Sequence, residues 1–101
     1  MTLGTLLDSI QEYDDSLTIY ASKEPAWTDQ SEAVVALAPD DGSIPAVAKG
    51  LSYLLEVCVA KEVLSVWSTW RSGAQPGREE RCDAVIHYAT HDSYLQADAS
   101  V

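Results

Sequence analysis

The chain has 101 residues, 47% of them hydrophobic, and its 16 acidic against 6 basic side chains give a formal net charge of −10. That length predicts one globular domain over residues 1–95, with a core that needs no disulfide or metal staple, and a loose tail over 96–101. A negative field of this size repels nucleic acid and anionic membrane surfaces, and no apolar run approaches the about 20 residues of a membrane span.

Leu3, Leu6, Leu7 and Ile10 recur at helical spacing, which predicts an amphipathic helix over 3–13 capped near Thr2. Asp14 and Asp15 end that pattern. In "SLTIYAS" the residues Leu17, Ile19 and Ala21 alternate with Thr18 and Tyr20, as in a half-buried strand. "KEPAWTDQSE" is a polar connection carrying Pro25 and Trp27. "AVVALA", residues 33–38, is apolar at every position, which predicts a strand covered on both faces.

"PDDGS" at 39–43 is a turn signal, after which Ser43 is expected to cap a short helix with Pro45 in its first turn and Val47, Ala48 and Leu51 along it. Residues 53–59, "YLLEVCV", fit two periods: Tyr53, Leu55, Val57 and Val59 alternate, while Leu51, Leu54, Leu55 and Cys58 have helical spacing. Gly50 offers a helix end before the run, and strand is the reading adopted. A further helix places Ala60, Val63, Leu64, Trp67 and Trp70 on one face and stops at Ser72-Gly73. The last helix starts after Pro76, with Glu79 and Glu80 favourably placed in its first turn. The order α-β-β-α-β-α-α predicts an α+β fold with a small, mainly antiparallel three-stranded sheet packed with helices.

Chemistry is sparse. The only two histidines, His87 and His91, are one helical turn apart, with Asp83 on the same face. Cys82, Val85, Ile86 and Ala89 form the opposite, core face, so Cys82 is expected to point away from the histidines. Two imidazoles at this spacing can hold zinc, but a catalytic site needs a third ligand and usually a base, and the position after His87 is Tyr88 rather than Glu. The expectation is an ordinary helix end, with Asp83 pairing His87 and His91 complementing the helix dipole. Cys58 and Cys82 are read as reduced core thiols. No nucleophile elbow, glycine-rich phosphate loop or Cys-x-x-Cys occurs, so neither an enzyme nor a cofactor is expected.

The acids are unevenly spread: residues 1–48 hold nine acids and one base, against seven acids and five bases in the remainder. A basic protein partner is therefore expected to meet the N-terminal half, at Asp14, Asp15, Asp29, Glu32, Asp40 and Asp41. Trp27 is either the apolar centre of that contact surface or an anchor from loop to core. Solubility alone is the competing account of the acidity. "MTLGTLLDSIQEYDD" has no positive segment and reaches an acid at position 8, so no signal peptide is read there and a cytoplasmic location is expected.

"EPAWT" (24–28) before an apolar strand, and "CDAVIHYATHDSYL" (82–95) as a last helix ending in an aromatic-rich turn, resemble a group of small, uncharacterised, acidic bacterial proteins. In size, charge asymmetry and lack of a catalytic set, the chain also resembles immunity proteins of contact-dependent and other polymorphic toxin systems. That resemblance implies a protein-binding module that blocks a basic toxin domain, such as a nuclease, without contacting nucleic acid or membrane. The alternatives are a regulatory or structural subunit of a bacterial complex and a small metalloprotein using Asp83, His87 and His91.

Overall fold

The computed structural model describes residues 1–96. Of the expected tail only Gln96 is therefore included; 97–101 lie outside the described residues. Helix α1 runs Leu3–Asp8, and the Thr2 side chain caps it by accepting from the Thr5 N–H at 3.3 Å. The helix is shorter than the sequence suggests. Ser9 departs from helical geometry at φ −112°, ψ 21°, and a 3-10 turn over Ile10–Glu12 replaces the second half. That tighter turn still brings Ile10 into the core with Leu3, Leu6 and Leu7, so the apolar spacing held while the hydrogen-bond pattern changed.

Strands β1 (Thr18–Ala21), β2 (Ala33–Ala36) and β3 (Ser52–Glu56) form an antiparallel sheet in the order β2-β1-β3. With the helices this is the α+β fold in the order α-β-β-α-β-α-α, a 3-10 turn over Ala46–Ala48 taking the place of the short middle helix. Ser43 caps nothing there: its N–H donates to Asp41 Oδ1 at 2.9 Å, closing a turn in which Gly42 adopts φ 79°.

The burial of the first two strands reverses the expectation. β1, read as half-buried, is buried at all four residues, whereas β2, read as covered on both faces, buries only Ala33 and leaves Val34, Val35 and Ala36 half-buried. Position in the sheet decides this. β1 is central; β2 is an edge. Since β2 and β3 both run antiparallel to β1, they are parallel to each other, and the chain between them must cross β1. The 3-10 turn of this crossover packs on β2 and buries Ala48 completely. Ile19 and Ala21 join the main core cluster, while Tyr20, equally buried, points to the other face. On the outer side of β2, Ala33 is already engaged, donating its N–H to the Met1 carbonyl at 2.7 Å.

A β-bulge explains the ambiguous run. The β1–β3 register shifts between Ile19, opposite Leu55, and Tyr20, opposite Tyr53, so Leu54 is the extra residue and consecutive Leu54 and Leu55 are both buried. The strand then ends at Glu56, and helix α2 (Val57–Thr69) begins without a loop. The strand reading of 53–59 therefore holds through Glu56 and fails for Val57, Cys58 and Val59, which open α2. The helical set Leu51, Leu54, Leu55 and Cys58 forms no face, because Leu54 and Leu55 lie in β3. Starting at Val57, α2 turns Val57, Ala60, Val63, Leu64 and Trp67 inward and Cys58 outward, which corrects the reading of Cys58 as a core thiol. Trp70 is likewise not in the core: it follows the last turn of α2, is 43% exposed and meets Tyr94 edge-on at 5.8 Å. The chain reverses through Ser72 and Gly73, both at positive φ, with the Gly73 N–H donating to the Ser68 carbonyl.

Helix α3 (Arg78–His91) starts with the Gly77 N–H held by Glu80 Oε1 at 2.9 Å. It packs against both α1 and α2. The approach to α1 is close at Gly4, where a Cβ would lie 2.9 Å from Arg78 Cδ and 3.2 Å from the Asp29 carbonyl, so a larger residue would have to displace the Arg78 side chain.

Candidate functional site

The strand register sorts the expected contact residues into two groups. Thr18 faces Ala36 and Ala21 faces Ala33. Asp14 and Asp15, which precede β1, and Asp40 and Asp41, which follow β2, therefore lie beyond one end of the sheet, while Trp27, Asp29 and Glu32 lie in the connection beyond the other. At about 3.3 Å per residue, the two ends are separated by roughly 10 Å of strand. A partner touching all seven residues has to extend along the sheet.

Several of these acids also have local work. Asp14 Oδ1 accepts from the Ser16 hydroxyl at 2.6 Å and the Ser16 N–H at 2.8 Å, and these bonds hold its carboxyl below the usual carboxylate range. Ser43 does the same for Asp41. Asp15 pairs with Lys61 Nζ at 2.6 Å, and Glu32 with the N-terminal ammonium at 3.2 Å. Asp40 is exposed. Trp27 is half-buried and packs against the core, with Nε1 donating to the Ala21 carbonyl at 3.2 Å. It is a loop-to-core anchor that keeps part of its ring at the surface.

That remaining surface of Trp27 belongs to a groove of about 640 Å³ between the β1–β2 connection and α3. Trp27, Thr28 and Asp29 form one side; Glu79, Cys82, Asp83, Ile86, His87, Thr90 and His91 from α3 form the other, with Leu95 at its end. The α3 residues recur at three and four, which makes the wall one helix face. Cys82 lies on the core face of α3, turned away from His87 and His91 as the helical spacing predicts, and it borders the groove only at its inner edge. Burial first, and then the nearby Asp29 and Asp83, push the Cys82 thiol up to about 11.

The imidazoles of His87 and His91 lie against each other, their ring centroids 4.6 Å apart. His91 is exposed in the last turn of α3 and His87 half-buried. Among the described residues, no three His, Cys, Asp or Glu side chains are placed to hold one metal ion together.

One cluster escaped the sequence reading. Asp8, at the end of α1, accepts hydrogen bonds from both Arg78 and Arg81 at the start of α3. Arg81 Nη1 also donates to the Pro76 carbonyl at 2.9 Å. The one signal was an acid ending a helix and two bases beginning another, but only the packing of α1 on α3 pairs them. This is a structural clamp in which one carboxylate serves two guanidiniums.

Comparisons with protein-family models, with curated proteins and with solved structures give no match.

Proposed function

We propose that the protein is an acidic protein-binding module that captures a basic protein partner, and that it serves as an immunity protein whose partner is a toxin domain with a basic cleft. The observation that supports this is the disposition of the positive charges. Lys61 is bound to Asp15 and the Tyr13 carbonyl, and Arg71 to the carbonyls of Trp67 and Gln96. Arg78 and Arg81 close on Asp8, and the Lys23 ammonium sits 4.5 Å above the Trp27 ring. Among the described residues, Lys49 is the basic side chain left without such a contact.

Cations engaged by the chain's own carboxylates, carbonyls and indole are less available to meet an incoming partner than the carboxylates left unpaired. The unpaired charge is carried mainly by carboxylates, and such a negative field accelerates encounter with a basic surface. A nuclease cleft is positive because it must hold phosphate, so an acidic domain seated on it excludes the substrate by occupying the same field.

The test is affinity capture from the source cell, identification of the partner, and association kinetics across a salt series. The expected partner carries a basic surface, and its association rate falls as salt rises. An acidic partner, or a rate indifferent to salt, removes the electrostatic reading. For the immunity role, co-expression should relieve the growth defect caused by the captured partner; a partner without toxicity leaves a regulatory module instead.

A further inference from the structure

We propose that the groove between the β1–β2 connection and α3 receives an arginine side chain of the basic partner, its guanidinium lying against Trp27 and between the carboxylates of Asp29, Glu79 and Asp83. This deepens the partner-binding reading and rests on it for the partner's charge. The volume of about 640 Å³ falls within the range of sites that enclose a small group, about 300–1,000 Å³. Its walls supply carboxylates from two separate elements, Asp29 from the connection and Glu79 and Asp83 from α3, and neither Lys nor Arg lines it.

Two further observations point to a cation. Lys23, itself outside the groove, holds its ammonium 4.5 Å above the Trp27 ring, so the chain's own cation already occupies part of this indole. The ring is also fixed by its bond to the Ala21 carbonyl and needs no ordering when a ligand arrives. At the groove's inner edge, the Cys82 side chain is only 2% exposed and makes no hydrogen bond among the described residues. Burial is the main reason its proton is held more tightly, and the negative potential of Asp29 and Asp83 adds to it. Arginine fits better than lysine because a planar guanidinium stacks on an indole while its donors reach carboxylates at the sides. The acids beyond the other end of the sheet, Asp14, Asp15, Asp40 and Asp41, do not line the groove; they steer the partner but do not seat it.

The test uses the full chain and a blocked Gly-Arg-Gly peptide, with the same peptide carrying uncharged citrulline as its partner probe. Binding is followed by NMR at the Trp27 indole N–H and the α3 amides. The expected result is saturable shifts at Trp27, Asp83 and His87 with the arginine peptide and none with citrulline. Glu79 and Asp83 are exposed, so Glu79→Gln with Asp83→Asn preserves the fold and should weaken arginine binding about fivefold. Equal shifts with both peptides, unchanged affinity in the double variant, or shifts centred on Asp14 and Asp40 would overturn the assignment. The captured partner separates the two readings. If its association slows with salt while the double variant binds it unchanged, the groove is wrong and the electrostatic module stands. If the partner is acidic the module reading fails, and the peptide titration still judges the groove.

Discussion

Asp8 and Arg81 are 73 positions apart in the chain and form an ion pair that ties the end of α1 to the start of α3. Arg81 Nε lies buried without a partner among the described residues, so the carboxylate of Asp8 is the main compensation this guanidinium has besides the Pro76 carbonyl. Replacing Asp8 by Asn should therefore destabilise the fold by about 1–3 kcal/mol at neutral pH. The Arg78 hydrogen bond holds the Asp8 carboxyl below the usual range, against a smaller opposing effect of burial. Its folded pKa is depressed, so the contribution is present above the unfolded value of about 3.9 and lost as pH falls through the folded one. Urea denaturation should show the gap between the parent and Asp8→Asn narrowing below about pH 4. A gap independent of pH would mean that the carboxylate's charge contributes nothing.

The two tryptophans at the end of α2 should behave differently. Trp67 is buried in the core with Arg71 over its ring at 4.3 Å, and Trp67→Ala should cost about 3–5 kcal/mol. Trp70→Ala loses little beyond an edge-on contact with Tyr94, about 0.5–1.5 kcal/mol. Thermal melts of the two variants compare them directly; equal losses would contradict the inward turn of Trp67.

Cysteine reactivity should divide in the same manner. Cys58 is exposed on α2, whereas Cys82 is buried and its thiol is pushed up to about 11. A maleimide at neutral pH should modify one thiol under native conditions and the second only after unfolding. Peptide mapping identifies which; prompt modification of Cys82 would show that the groove opens further than its walls indicate.

For the acids beyond the sheet end, the quadruple replacement of Asp14, Asp15, Asp40 and Asp41 by Asn should slow association with the captured partner about tenfold at low salt. Asn can still accept from the N–H groups of Ser16 and Ser43, so these turns persist, and losing the exposed Asp15–Lys61 pair costs about 1 kcal/mol at most. An association rate equal to the parent's would assign these four charges to solubility.

His87→Ala with His91→Ala should change stability by less than about 1 kcal/mol, because the rings touch chiefly each other at an open helix end. Elemental analysis of protein prepared without a histidine tag gives the contrary outcome its chance. One zinc per chain, lost in the double variant, would overturn the helix-end reading.

Much of the architecture was legible because apolar spacing survives changes of detail. Leu3, Leu6, Leu7 and Ile10 are core residues whether the turn beneath them is α or 3-10, and Glu79-Glu80 marked the start of α3. Relations between elements were not legible. That β1 is central and β2 an edge follows from strand order, to which local composition contributes little: "AVVALA" is the more apolar segment and the less buried. Leu54 and Leu55 are consecutive and both inward only because of a bulge, which no period describes. Trp27 and Asp29 were selected for charge and aromaticity, but their meeting with α3 across a groove depends on tertiary packing alone.

The outer side of β2 gives the negative charge a second consequence. Ala33 is paired with Met1, and by the two-residue repeat of a strand the N–H and carbonyl of Val35 face outward as well. Beside this edge the chain leaves Leu37 68% and Val47 71% exposed. A bare strand flanked by apolar side chains is a template for stacking one molecule onto the next. Asp40 and Asp41 beyond one end of β2 are positioned as electrostatic guards, while Glu32 at the other end is paired with the N-terminal ammonium. As the net charge of the chain falls to zero near the isoelectric point of about 4.2, repulsion between molecules fades while the edge stays open. Approach to that pH is therefore expected to promote stacking along this edge, so the negative charge has a use in keeping molecules apart that requires no partner.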